Sequence, residues 1–193
     1  MRRLAVLLAA ILMVGRASAG IFGSDDPNAI LSEAEDLRGV GRIMQARLST
    51  EQAIALFAKA GDNAGLAKAY REYGLVALDG GLGDDPVVWR ERSATRHPRP
   101  QDLDLAQAKL EYARDLGAET KQLFLVANID FVLGNIQVMR GVPQQSCPYY
   151  DTAIREFRDA MHRQPGPVAN MPQGVTDPAA YIGRAKAEAG CAP

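Results

Sequence analysis

Small and large apolar residues recur three times in one pattern along this chain. Ala53/Phe57/Ala60, Ala106/Leu110/Ala113 and Ala153/Phe157/Ala160 each set small, large and small side chains at i, i+4 and i+7. On a helix that spacing is a single stripe, and its two small ends admit a neighbouring helix while the large residue fills the gap between them. A second signal alternates with the first: a large apolar residue followed by glycine, as Val40-Gly41, Tyr73-Gly74, Leu133-Gly134 and Ile182-Gly183. The alternation predicts a repeated helical hairpin.

Start and stop residues divide the chain into seven expected helices, an all-α fold. Asp26-Pro27 opens the first, which is expected to run to about Arg47. Ser49 with Gln52 forms a capping box for the second, which stops at Gly61-Asp62. The third covers Ala64 to Ala77 and ends at Asp79-Gly80-Gly81. Asp102 caps a fourth helix to about Leu116, Gly117 punctuates it, and a long fifth follows from Ala118 to about Arg140. Pro148 opens the sixth, which Pro165-Gly166-Pro167 stops after Arg163, and Thr176-Asp177-Pro178 starts the last, to about Ala189. Two inserted loops break the rhythm, 82–101 and 141–148. The first carries Trp89 among Arg90, Arg92, Arg96 and Arg99. It reads either as a surface loop docked by its tryptophan or as a loop over one end of a binding surface, its arginines facing an acidic partner.

The N-terminus changes the compartment. Met1-Arg2-Arg3 is basic, Leu4 to Val14 is unbroken apolar, and Ala17-Ser18-Ala19 is a small-residue cleavage site, so residues 1–19 read as a secretory signal peptide. The apolar run is too short to span a bilayer, which takes about twenty residues. Residues 20–26 read as a linker and 27–193 as one helical-repeat domain. The full chain has a net charge of −1, and cleavage removes Arg2, Arg3 and Arg16, leaving acidic residues in excess by four. That balance argues against nucleic acid, which calls for a clustered basic surface. In an exported protein the two cysteines, Cys147 and Cys191, are expected to form a disulfide. The helix bearing the third stripe begins just after Cys147 and the antiparallel last helix ends just before Cys191, which puts both sulfurs at one end of a hairpin. No metal site is expected, because His97 and His162 lack ligand spacing.

These residues resemble the tetratricopeptide-repeat superfamily. With Gly41 at the family's eighth position, Met44, Ala53, Phe57 and Ala60 fall at its eleventh, twentieth, twenty-fourth and twenty-seventh. Gly74 and Gly81 take the eighth and fifteenth places of the next repeat. Gly134 and Gly141 take them in the third, with Ala153, Phe157, Ala160 and Pro165 in register after an insertion. Tyr181 to Glu188 resembles the capping half-repeat. Both insertions fall between the two helices of a repeat, where the related Sel-one-like repeats also lengthen the turn, and Gly141-Val142-Pro143 resembles their loop. The resemblance implies a right-handed superhelix of antiparallel hairpins, about three repeats and a C-terminal capping helix, whose first helices line a concave groove for a peptide. Carried over by register, the groove residues are Arg38, Arg42, Lys68, Arg71, Asn128, Phe131, Asn135 and Arg184. Amides suit a peptide backbone and arginines pair with carboxylates, so the implied partner is a protein or peptide segment, acidic in character.

Catalysis is not expected. The chain lacks a glycine-rich phosphate loop, a Gly-x-Ser-x-Gly elbow and a His-Glu-x-x-His motif, and Cys147 is inert once paired. The reading is a non-catalytic periplasmic or secreted adaptor without a cofactor. One alternative is an exported hydrolase or penicillin-recognising protein, since cysteine-bearing relatives of the superfamily are linked to such activities. Another is a structural subunit of an envelope assembly.

Overall fold

A computed structural model describes residues 24–79, 98–163 and 175–192. Among them are seven α-helices and no strand: α1 (Pro27–Gly39), α2 (Ile43–Ala60), α3 (Asn63–Leu78), α4 (Pro100–Glu119), α5 (Leu123–Met139), α6 (Cys147–Arg163) and α7 (Pro178–Glu188). A 3₁₀ turn, Pro143–Ser146, leads into α6. The expected signal peptide, Trp89, Arg90, Arg92 and most of the loop 82–101 lie outside the described residues. Among the described residues no helix is long and apolar enough to cross a membrane.

Three aspartates cap as their positions demand. Asp26 accepts from the Asn28 N–H at 3.0 Å, Asp62 from Gly65 at 2.9 Å and Asp177 from Ala180 at 3.0 Å, each satisfying a donor that has no partner inside its own helix. Asp102 acts differently from the expected cap. The helix already begins at Pro100, and Asp102 reaches back from the first turn to the Arg99 backbone and guanidinium.

Several boundaries depart from expectation. α1 ends at Gly39 instead of Arg47, because the chain turns through Gly41 at φ +76°. α2 therefore starts at Ile43. Ser49, the expected cap, is buried inside it beside Thr50, whose hydroxyl donates to the Ala46 carbonyl at 2.7 Å. Gly117 lies within α4 and does not end it. The turn comes at Lys121 (φ +58°), so α5 starts at Leu123. Half of the second insertion is the 3₁₀ turn, Pro143–Ser146, and α6 already includes Cys147 and Pro148.

Helices pack in pairs, α1 on α2, α3 on α4 and α5 on α6, with α7 closing the end. Successive pairs join through α2–α3, α4–α5 and α6–α7. One core cluster runs through α1 to α5 around Phe57, Leu110, Ile129 and Leu133, and a second lies between α5, α6 and α7 around Phe131, Tyr150, Phe157 and Ile182. Within the second hairpin Leu110 lies against Gly74, where an added Cβ would come within 2.7 Å. In the third, the Tyr150 ring covers Gly134, where an added Cβ would come within 2.6 Å. The small side of each contact lets the two backbones approach.

Turn hydrogen bonds align the hairpins. Arg42 N–H donates to Leu37 C=O and Val142 N–H to Gln137 C=O, which makes Gly41 the counterpart of Gly141, both at φ +76°. Gly41 is thus a turn residue, and the helical place that Gly74 and Gly134 occupy is filled in the first hairpin by buried Ala34. Likewise Asp62 N–H donates to Phe57 C=O and Gln122 N–H to Gly117 C=O. Phe57 is therefore the counterpart of Gly117. Phe57 and Phe157 are buried equivalents, as expected, since Leu110 over Gly74 and Tyr150 over Gly134 put Phe157 at the place of Gly117. Phe57 crosses the first joint onto Gly65, where a Cβ would meet its ring at 2.1 Å. At the second joint the sizes are exchanged, and Leu125 and Val126 reach toward Gly117.

Cys147 and Cys191 form a disulfide with Cα atoms 5.6 Å apart, tying the start of α6 to the end of α7.

Truncating Phe57 or Phe157 to Ala is expected to cost roughly 3–5 kcal/mol each, measured by chemical denaturation. Gly65→Leu alone should overpack the first joint, whereas Phe57→Gly combined with Gly65→Leu copies the second joint. The pair should cost clearly less than the sum of the two single changes; strict additivity would mean that the joints are not equivalent. Replacing both cysteines should lower stability by up to about 4 kcal/mol, the loop-closure value for residues 44 apart. Alkylation of the unreduced exported protein should label neither thiol, as read by intact mass.

Candidate functional site

The expected groove residues are mostly engaged inside the protein. Arg38, on α1, donates to Glu72 at 2.5 Å and to Asp79 at 3.1 Å, tying α1 to both ends of the second half of α3. Burial opposes its charge, but the two carboxylates more than offset that and hold its pKa above the ordinary guanidinium value. Arg71 is only 7 % exposed and donates to Asn128 on α5 at 2.7 Å. Burial lowers its pKa, against the pull of Glu72 and Glu35. Glu72 is fully buried, and burial raises its pKa although Arg38 and Arg71 oppose the shift. Arg71 and Asn128 are thus not an exposed pair on a groove wall, because each satisfies the other in a space that water does not reach.

Asn135 accepts from the Tyr150 hydroxyl at 2.8 Å, and Phe131 is covered by the rings of Tyr150 and Tyr181. Arg42 is exposed but stands in the α1–α2 turn, away from the helical position assigned to it. Lys68 on α3 and Arg184 on α7 are exposed, with Arg184 5.7 Å from the Tyr181 ring centre. A continuous cationic groove does not form from these eight residues.

Polar side chains converge elsewhere. A cavity of about 460 Å³ opens between α4, α5 and α6, lined by Glu111, Arg114 and Asp115 from α4, Asp130 and Leu133 from α5, and Pro148, Tyr149 and Thr152 from α6. Arg114 donates to Asp130 Oδ1 at 2.7 Å and lies 3.7 Å from Glu156 Oε1. The Asp130 side chain is 3 % exposed. Its second oxygen, Oδ2, and Glu156 Oε2 are both buried without a donor from the protein. An unsatisfied buried acceptor is costly, and a proton held between the two carboxyl groups removes that cost for both. In keeping with this, Glu156 is raised to about 7, first by burial and then by its hydrogen bond to Asp130 and the charge there, against the pull of Arg114 and Arg155.

The hairpin register explains why there is a cavity. Counted from Gly74 and Gly134, Asp130 and Leu133 stand where α3 has Tyr70 and Tyr73. Counted from Leu110 over Gly74 and Tyr150 over Gly134, Tyr149 and Thr152 stand where α4 has Lys109 and Tyr112. In the second hairpin those places are filled: the Lys109 ammonium lies 5.3 Å and 5.4 Å from the Tyr70 and Tyr73 ring centres, and Tyr112 packs edge-on against Tyr70 at 4.8 Å. Exchanging Tyr70, Tyr73 and Tyr112 for Asp130, Leu133 and Thr152 leaves the third hairpin open at the same level, and Tyr149 in the place of Lys109 removes the cation. Sequence reasoning missed this site. Its signal was Asp130 standing as the one charged residue in α5, Leu123–Met139, an otherwise apolar and amide-bearing helix.

Comparison with protein-family models, with curated proteins and with solved structures finds no match.

The carboxyl pair makes stability depend on pH. Glu156 has a folded pKa of about 7, above the ordinary carboxyl value, so the folded chain binds more protons than the unfolded one between those limits. Its contribution is full below the unfolded pKa and is lost as pH rises through 7. Denaturation midpoints should therefore fall from pH 5 to pH 7.5, and Glu156→Gln, which keeps a donor for Asp130, should flatten that part of the profile. A wild-type midpoint that rises over this interval would contradict the shared proton.

Proposed function

We propose that this protein is a non-catalytic, exported helical-repeat adaptor that binds a protein or peptide partner of the cell envelope, and that the cleft between α4, α5 and α6 is where it does so. The observation that carries the reading is the cleft itself: an open volume of about 460 Å³ in which Asp130, Arg114 and Thr152 converge from three helices. Concave sites with a few convergent polar groups and a shifted pKa are where ligands bind. Export rests on residues 1–19, with a mature chain starting at Gly20. The likeness to tetratricopeptide and Sel-one-like repeats supports an adaptor role, and the pairwise packing of α1 to α6 is in keeping with it.

The acidic partner implied by the groove residues finds less support, because Arg38 and Arg71 are engaged with Glu72, Asp79 and Asn128. The two readings separate in one experiment. Affinity capture from envelope extracts should recover a partner with the wild-type protein and lose it with Thr152→Arg, which fills the cleft. Lys68→Glu combined with Arg184→Glu should leave capture unchanged, and the reverse pattern would return the site to the exposed cations of α3 and α7. Thermal unfolding of each variant controls for folding, since exposed charges contribute little to stability.

A further inference from the structure

We infer that the groove between α6 and α7 is a second docking surface, where an amphipathic helix of a partner protein lays a large apolar side chain on Gly183 and a carboxylate beside Arg158. The inference goes beyond the cleft of α4, α5 and α6, and neither site depends on the other. α7 stands as the first helix of a fourth hairpin. Cys191 N–H donates to Lys186 C=O across Gly190 at φ +75°, as Val142 N–H does to Gln137 C=O across Gly141, so by the turn register Gly183 holds the place of Gly134. Gly134 receives Tyr150 and Gly74 receives Leu110, each from the second helix of its own pair. Among the described residues α7 has no such second helix, and a Cβ at Gly183 would meet nothing within 4 Å. Gly65, Gly74, Gly117 and Gly134 all lie inside helices against a side chain of a neighbouring helix, whereas Gly183 lies inside a helix against open space. Glycine in mid-helix destabilises the helix relative to alanine. What it permits is the close approach of another helix, and at Gly183 that helix has to come from outside the described fold.

Shape and charge say what kind of helix fits. The groove has a volume of about 640 Å³, with Ile154 and Met161 of α6 on one wall and Ala180 and Gly183 of α7 on the other. Met161 is 39 % exposed, so a large apolar side chain is left in water along it. Arg158 and His162 also line the groove, and Arg158 is exposed and makes no ion pair among the described residues. Arg163, next along α6, is already paired with Asp159. Asp177 lines the groove as well, but it caps α7 by accepting from the Ala180 N–H at 3.0 Å. The charge left to be matched is therefore positive, and a helix that carries Asp or Glu beside its apolar residue is complementary to it. The fold contains such a helix in α4, whose Leu110 seats on Gly74 and is followed by exposed Glu111 and Asp115.

The test uses the mature exported protein, ¹⁵N-labelled, titrated with a synthetic peptide of residues 100–119 and with the same peptide carrying Leu110→Ala. The first peptide should shift amide signals of α7 and of the second half of α6, and the Leu110→Ala peptide should bind about tenfold more weakly, the loss expected for an anchor residue. Arg158→Glu in the protein should weaken binding by a similar factor. Gly183→Leu fills the seat from within, so it should abolish the shifts while raising the thermal midpoint, because the added side chain meets open space and leucine favours the helix. Gly74→Leu, under Leu110, should lower the midpoint. No shift in α6 or α7, equal binding of both peptides, or shifts confined to the α4–α5–α6 cleft would overturn the inference. A lower midpoint for Gly183→Leu would overturn it too, since residues of the chain itself would then already cover α7. So would a dimer in sedimentation that Gly183→Leu breaks, which would make the occupant a second copy. Envelope capture that is lost with Thr152→Arg, in the face of any of those results, leaves the cleft reading standing and removes only the helix.

Discussion

Close approach of a small residue to a large one across each helix pair is the contact on which the rest of this structure depends. Gly74 under Leu110 and Gly134 under Tyr150 let the hairpins close, and Gly65 under Phe57 lets the first hairpin dock on the second. Interiors pack to crystal-like density, so a contact that leaves no room for a Cβ admits one axial register and penalises its neighbours. Ionic contacts reinforce that choice. Glu72 is fully buried and is met by Arg38 from α1, while Arg71 on the same helix reaches Asn128 on α5. A slip between α1 and α3 would strand a buried carboxylate, which costs about 3–5 kcal/mol when its partner is removed.

Once register is fixed, positions in successive hairpins become comparable, and their differences become informative. The exchange of Phe57/Gly65 for Gly117/Leu125 conserves the volume of the joint while moving its bulk from one helix to the other. The exchange of Tyr70, Tyr73, Lys109 and Tyr112 for Asp130, Leu133, Tyr149 and Thr152 does not conserve volume or charge. It opens a cavity and puts a carboxyl group where a ring had been. A core evolving only for packing has no use for a buried aspartate in α5, since desolvating it costs more than an apolar residue of similar size. That cost, partly met by Arg114 and by a proton shared with Glu156, is why the departure from the repeat reads as a site and not as a defect.

Helices were legible in the sequence where local chemistry decides them. Asp26-Pro27 and Asp177-Pro178 begin helices because the cap and the proline act within one turn, and the alanine stripes fall on buried faces, apart from exposed Ala60 at the end of α2, because their period is helical. The cysteine pairing was legible because two predicted helix ends limit where the sulfurs can go. What failed depended on backbone handedness or on neighbours. Gly117 reads as punctuation while Gly41 and Lys121 fall inside expected helices, yet Gly41 and Lys121 turn the chain, with positive φ, and Gly117 is kept in α4 by the side chains it receives from α5. Ser49 offered a cap, but Ile43 and Ala46 were already burying the same face one turn earlier. The groove residues failed for a further reason: register says which face a residue is on, and says nothing of whether a carboxylate from the next helix has already taken its charge.

That last point bears on how such a protein presents charge. Arg38 and Arg71 cannot serve both as ties between α1, α3 and α5 and as free ligands for a partner, since removing Arg38 from Glu72 would expose the cost of a buried anion. The carboxyl pair meets the same constraint within the fold: Arg114 reaches one oxygen of Asp130 and of Glu156, and a proton held between the other two satisfies them, so the pair ties α4, α5 and α6 together without a charge from outside.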